Sequence, residues 1–196
     1  AVGKNALGAN TTGHRNTTVG KDSMAVSTTG CCNASLGWAS LNANTTGCNN
    51  IAVGALALSA NTTASDNTAV GAVALTSNTT GHSNVAIGHC ALYTNTEGDT
   101  NTAVGHHALK LNTTAADNTG IGRNALCTTT TGCVNTALGS SAMQSNTTGD
   151  NNVAIGGSTL FNNTTADNNT AVGTTAMVAN TTGTENVAVG CGALDS

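Results

Sequence analysis

Histidine and cysteine, residue types that readily bind transition metals, are concentrated between residues 89 and 107. His89 and His106 are 17 residues apart, and Cys90 and His107 repeat the same interval. If residues at this interval are neighbours in the fold, three imidazoles and a thiol lie at one corner, where they are natural ligands for zinc or other transition metals. Adjacent residues of an extended strand face opposite ways. We therefore expect a metal site only if the chain turns here, and exposed corner residues otherwise.

Cys31 and Cys48 are also 17 residues apart. Two strands stacked at about 4.8 Å would place these cysteines within disulfide distance. Cys32 is a competing partner, and the total of seven cysteines leaves at least one thiol free or paired between chains. The sequence therefore predicts a Cys31–Cys48 disulfide, with bridges between chains as the alternative.

A third pattern is the repeated tripeptide Asn-Thr-Thr, which fits the acceptor motif for N-glycosylation. It occurs at Asn10, Asn44, Asn61, Asn78, Asn112, Asn146, Asn163 and Asn180. The alternative interpretation is that one motif has been copied by repetition and that its threonine hydroxyls bond to the turn.

These intervals belong to a 17-residue repeat that covers the whole chain, residues 1–196, without insertion or deletion. Each unit reads roughly N-T-A-V-G-x-x-A-L-x-x-N-T-T-G-x-x, and repeat positions are numbered below from its first Asn. The units begin at Asn16, Asn33, Asn50, Asn67, Asn84, Asn101, Asn118, Asn135, Asn152, Asn169 and Asn186. Twelve complete or partial units form a single repeat domain. A fixed period of this kind indicates a solenoid in which each unit is one coil.

Two columns of the repeat are invariant. Position 1 is always Asn, which would form a ladder on successive coils, and position 5 is always Gly, which indicates a turn with positive φ or a close backbone approach. The glycines are Gly3, Gly20, Gly37, Gly54, Gly71, Gly88, Gly105, Gly122, Gly139, Gly156, Gly173 and Gly190.

The pattern predicts an all-β protein, a parallel β-solenoid or β-roll. We expect one strand at positions 2–4, a glycine corner, a second strand at positions 8–11 and a turn through N-T-T-G. The apolar residues do not recur at the helical period, and Asn, Thr and Gly are poor helix formers.

Lateral association follows from the small apolar content of each coil. Position 4 is always Val, Ile or Leu, and position 9 is always Leu or Met. Two such side chains, worth about 1.5–3 kcal/mol each when buried, are little against the entropy of ordering 17 residues. We expect the small residues at positions 3 and 8 to let another chain approach closely.

Composition limits the partners. Charged residues are 7% of the chain and the net charge is −4, which leaves no basic surface for nucleic acid. No apolar run approaches the ~20 residues that span a bilayer, so we expect no membrane insertion. The chain begins in mid-repeat at Ala1-Val2-Gly3, and we expect it to be part of something longer.

The string Asn67-Thr68-Ala69-Val70-Gly71 through Asn78-Thr79-Thr80-Gly81 resembles two groups of repeats. One is the head of trimeric autotransporter adhesins, where N-x-A-I-G-type motifs build a left-handed parallel β-roll and three rolls associate. The other is the repeat region of phage and virus tail-fibre-like proteins. The resemblance covers the whole chain and implies a left-handed homotrimeric fibre outside the cell, on a cell surface or on a virion. The adhesin heads have a shorter period, so the N-T-T-G turn departs from their pattern.

No arrangement of catalytic residues is recognisable, and we expect neither enzymatic activity nor a cofactor. The leading hypothesis is a structural segment of an adhesin or tail fibre, which extends or presents a tip that attaches to a host or surface. The alternative is that the solenoid surface itself binds a ligand, either a host glycan or protein receptor, or ice through stacked Thr columns.

Overall fold

Every strand of the protein is three residues long and occupies repeat positions 2–4. The strands are β1 Thr17–Val19, β2 Ala34–Leu36, β3 Ile51–Val53, β4 Thr68–Val70, β5 Val85–Ile87, β6 Thr102–Val104, β7 Thr119–Ile121, β8 Thr136–Leu138, β9 Val153–Ile155, β10 Thr170–Val172 and β11 Val187–Val189. They come from a computed structural model that describes residues 1–195. Ser196, the last residue of the predicted repeat domain, lies outside the described residues.

The eleven strands form one parallel sheet in chain order, and each residue pairs with the residue one repeat later. Thr68 N–H donates to the Asn84 carbonyl of the next coil at 2.8 Å, and Gly71 N–H donates to the Val53 carbonyl of the preceding coil at 2.8 Å. The result is an all-β parallel solenoid of about ten turns with 17-residue spacing, which confirms the predicted fold class. Within residues 1–195 no helix is long and apolar enough to cross a membrane.

Strand alternation decides which side chains face inwards. In β4 the central residue Ala69 is fully buried, while Thr68 and Val70 on either side are partly exposed. The same pattern recurs in the other strands, with Thr18 or Ser35 in the central place in two of them. Position 3 is therefore small because it faces the narrow interior of the coil, and positions 2 and 4 face out.

The predicted second strand at positions 8–11 is wrong, because this segment is a series of turns. In the coil that begins at Asn67, the φ angles of Val73 and Leu75 are 53° and 51°. Left-handed residues at alternate places are incompatible with an extended strand. Leu75 N–H still donates to the next coil, at 2.9 Å from the Ala91 carbonyl, so the turns remain hydrogen-bonded to their neighbours.

Glycine is required at position 5 by both conformation and space. Gly71 has a φ of 134°, and a Cβ atom there would lie 2.7 Å from the carbonyl of Gly88 in the next coil. Any side chain in this column would push successive coils apart, which is why the column contains only glycine.

The apolar core consists of the long side chain at position 9 and the small side chains at positions 3 and 8. Leu75 is fully buried between Ala69 and Ala74 of its own coil and the equivalent residues of its neighbours. The prediction that positions 3 and 8 serve close approach of another chain is therefore wrong, since both columns line the interior. Each coil also buries one large apolar side chain and not two, because position 4 faces out.

A polar half completes the interior of each coil. Asn84 at position 1 receives nothing from its own strand; its Nδ2 donates to the Gly98 carbonyl at 2.8 Å, and its backbone N–H donates to Asn67 Oδ1 at 2.9 Å. Asn95 at position 12 donates to the same Gly98 carbonyl at 3.0 Å and to Asn78 Oδ1 at 2.9 Å. Two stacked asparagine columns thus close every coil around the carbonyl of position 15.

Candidate functional site

The largest uniform surface of the protein is the outer side of its sheet, formed by the side chains of positions 2 and 4. We call this surface the outer face. Position 2 contains Thr, Val, Ile and Ala, and position 4 contains only Val, Ile and Leu, so the outer face carries no charged residue. It runs past all eleven strands.

Large apolar side chains on the outer face are left open to solvent. Leu36 is 50% exposed, Leu138 is 45% exposed and Ile87 is 40% exposed. Contiguous apolar surface of this kind, in contrast to scattered single residues, is typical of a place where a protein contacts another molecule.

Charged residues lie elsewhere on the coil. Lys21 and Arg123 are at position 6, and Asp99 and Asp150 are at position 16. These positions are the two corners that flank the sheet, so polar borders run along an apolar face. Such an apolar centre with a polar rim is the usual anatomy of a protein–protein interface.

The threonine columns of the N-T-T-G turn differ in their availability. The position-13 hydroxyls bond to the next coil, as when Thr79 Oγ1 donates to the Thr96 carbonyl at 3.0 Å. The position-14 side chains, such as Thr80, are exposed. One of the two columns therefore uses its hydroxyls inside the fold, as the alternative to glycosylation supposed.

The predicted glycosylation sites do not fit the folded coils. Six of the asparagines are completely buried: Asn44, Asn61, Asn78, Asn112, Asn146 and Asn163. Their Nδ2 atoms, which would carry the glycan, donate hydrogen bonds to the carbonyl of position 15. A glycan has no room there, so the prediction is wrong for these positions. Only Asn10 and Asn180, in the first and last coils, are accessible.

Cys31 and Cys48 lie side by side on consecutive coils, as their spacing implies. Both are free thiols, and their Sγ atoms are 2.7 Å apart. The hydrogen bond with Cys48, together with burial and the nearby thiols of Cys48 and Cys32, raises the pKa of the Cys31 thiol to about 11. Oxidation to a disulfide remains a prediction.

Three of the four predicted metal-ligating residues converge. The ligand atoms of His89, Cys90 and His107 all lie within 4.8 Å of one another. The ring of His106 instead stacks on its neighbours, with centroids 3.7 Å from His107 and 5.4 Å from His89. We call the convergent group of His89, Cys90 and His107 the histidine–cysteine corner.

Two groups near this corner have shifted pKa values. Burial lowers the pKa of His107, and the nearby His106, Lys110 and His89 lower it further. Burial raises the pKa of the Cys127 thiol, although Lys110 opposes this shift. His107 therefore favours the neutral imidazole, which is the form that binds metals.

A cavity of about 330 Å³ lies against Met177, Asn180, Asn186 and Leu194. It is the space above the last described coil, where each preceding coil has a neighbour. It contains no convergent acid, base or nucleophile among its lining side chains.

No protein-family model matches the chain, and no curated protein or solved structure is significantly similar to it. The coordinates define its class, which is a β-solenoid repeat protein. Beyond that class, function has to be argued from the outer face and the histidine–cysteine corner.

Proposed function

We propose that the protein is a structural segment of an extracellular fibre, on a cell or virion surface, whose chains associate with copies of themselves through the outer face. The fibre extends or presents a tip that attaches to a host or surface. The observation that carries the proposal is the uncharged, solvent-exposed column of Val, Ile and Leu that continues along the whole sheet.

The composition of the coil supports self-association. Each coil has one fully buried large apolar side chain, worth about 1.5–3 kcal/mol, while the side chain at position 4 remains half-exposed. Covering position 4 with a second chain would nearly double the large apolar surface removed from water per coil. A second copy is the partner best matched to this surface, because its own outer face has the same spacing.

The dimensions of the outer face are sufficient for a specific contact. Eleven strands at about 4.8 Å give a height of about 50 Å, and three residues give a width of about 10 Å. Each chain thus offers on the order of 500 Å², and a pair would bury about 1,000 Å², the lower limit for a specific interface. The resemblance to adhesin heads favours three copies arranged around these faces.

Binding of ice or of a receptor by the solenoid surface is less well supported. A Thr-based ice-binding face needs a regular array of free hydroxyls, but those of position 13 donate to backbone carbonyls. Position 2 alternates between Thr and apolar residues. Thermal hysteresis of a monomeric preparation would support the ice alternative.

The proposal is tested by the mass in solution, measured by light scattering after size exclusion, under reducing conditions. We expect a mass near three times the 19.0 kDa of the chain. The variant Val70→Glu/Val104→Glu/Leu138→Glu places charges on alternate coils of the outer face, and we expect it to be a monomer.

A matched control places the same charges outside the face. Thr29, Thr63 and Thr131 are exposed at position 14, where the chain already contains Glu97. Their triple substitution by Glu should keep the oligomer. A wild-type monomer, or equal loss of mass in both triple variants, would contradict self-association through the outer face.

A further inference from the structure

The histidine–cysteine corner has the dimensions of a metal site before any metal is added. Its three ligand atoms lie within 4.8 Å of one another, and Cys90 Sγ is 3.8 Å from His89 Nε2. Around a tetrahedral zinc ion, ligand atoms are about 3.3–3.6 Å apart, given zinc–nitrogen and zinc–sulfur bonds of about 2.0 and 2.3 Å. Small side-chain rotations would therefore bring all three atoms into coordination.

The backbone explains why these residues meet. Gly88, Cys90 and His107 have positive φ angles of 133°, 57° and 61°. The chain consequently turns at positions 5–7 and does not alternate as a strand does, so His89 and Cys90 can face the same space although they are adjacent. Stacking of the next coil adds His107 directly beside Cys90.

The donor set indicates which ions would bind. Two imidazole nitrogens and one thiolate suit borderline-soft divalent cations, of which zinc is the most common in proteins, and do not suit Mg²⁺ or Ca²⁺. Cys90 is 9% exposed, and His89 at the surface leaves a path for the ion. We propose that His89, Cys90 and His107 form a binding site for one zinc-like divalent cation per chain.

Three protein ligands leave one coordination position for water, because His106 stacks on His107 and lies outside the convergent group. His89 and Cys90 belong to one coil and His107 to the next. The ion would therefore join two consecutive coils in the middle of the solenoid. Binding to the folded form alone would raise its melting temperature.

The repeat itself supplies substitutions that the fold already accepts. Position 6 is Ala at Ala55, and position 7 is Ser at Ser141 and Asn at Asn124. We would titrate wild type, His89→Ala, Cys90→Ser and His107→Asn with Zn²⁺ by calorimetry under reducing conditions. Co²⁺ would report a bound thiolate through its charge-transfer absorption.

We expect wild type to bind one equivalent and each variant to bind more weakly. Loss of a ligand should cost at least the roughly 10–100-fold that loss of an outer-shell partner costs. The Co²⁺–thiolate absorption should disappear in Cys90→Ser. Circular dichroism spectra identical to wild type would show that the variants are folded.

Two control variants separate this corner from other possible ligands. His14→Ala removes an exposed histidine, and Cys48→Ser removes the thiol nearest to Cys31. Both should bind Zn²⁺ as wild type does. The absence of stoichiometric binding by wild type, or binding that is lost in Cys48→Ser and kept in Cys90→Ser, would overturn the proposal. Neither outcome bears on self-association, which light scattering tests in metal-free buffer.

Discussion

The two asparagine columns inside the solenoid differ in continuity. The column at position 1 contains Asn in every coil that has this position, whereas the column at position 12 is interrupted by Ser27 and Thr129. Within residues 1–195, the buried side-chain oxygens that lack a hydrogen-bond partner are Ser27 Oγ, Asn112 Oδ1 and Thr129 Oγ1. All three belong to the interrupted column.

The difference follows from what each column holds. A position-1 oxygen accepts a backbone N–H, as Asn101 Oδ1 does from Asn118 at 3.1 Å. A position-12 oxygen accepts only the side-chain amide of the next coil, as Asn95 Oδ1 does from Asn112 at 2.6 Å. An orphaned backbone N–H cannot be replaced by another donor, while a side-chain column tolerates a missing member at moderate cost. Position 1 is therefore the stricter of the two.

Asn101→Ala should have the largest effect. It removes the acceptor of the Asn118 N–H in a fully buried site and should lower the free energy of unfolding by about 3 kcal/mol. The melting temperature and chemical denaturation would measure this loss. Asn162→Ala, at an exposed asparagine outside both columns, should leave stability unchanged.

Asn95→Ala should cost less, about 1–2 kcal/mol. It leaves Asn78 Oδ1 without a donor, which is the state in which Asn112 Oδ1 already exists. The Gly98 carbonyl keeps its hydrogen bond from Asn84. If Asn95→Ala proved more damaging than Asn101→Ala in the same denaturation experiment, the proposed ranking of the columns would be wrong.

Thr129→Asn should stabilise the protein by about 1 kcal/mol, because it restores the interrupted column. The new amide would donate to Asn112 Oδ1 and accept from Asn146, and the other coils show that Asn fits this place. A higher melting temperature is the expected result. Thr131→Asn, at an exposed position of the same coil, should give none.

Ser27→Asn should give the smallest gain, roughly 0.5 kcal/mol. It would join Asn44 to Asn10, but Asn10 is exposed in the first coil, where an added hydrogen bond competes with water. Because residues 27 and 129 are far apart in the stack, the gains of the two repairs should add in the double variant. A double variant no more stable than Thr129→Asn would show that the first interruption has no cost.

Much of the fold could be predicted from the repeat, but the turn segment could not. The β-branched residues at positions 2 and 4 predict the observed strand. Leu75 and Leu92 at position 9 read equally well as strand residues, and nothing in a leucine signals a φ of 51° or 49°. The stacking of glycine carbonyls, which enforces this turn, is a tertiary effect that local propensity does not contain.

The surfaces were harder to predict for a geometric reason. Column analysis brought His89, Cys90 and His107 together but could not say whether side chains of positions 6 and 7 share one side. The outer face was missed because Val70 was expected in the core; the strict pairing of a small residue at position 3 with a large one at position 4 was the available signal. Ser27 and Thr129, small polar replacements for Asn, were a similar hint that position 12 is buried.

The sheet connects only coils that are consecutive in the chain. Removal or duplication of a complete unit would therefore rejoin surfaces that are already complementary, and would change the length of the rod by about 4.8 Å. A gene for such a protein can gain or lose seventeen codons at a time by recombination between its own repeats without a change of reading frame or of fold. The length of the rod can thus vary in equal steps between generations, while insertions of any other size would break the glycine and asparagine columns.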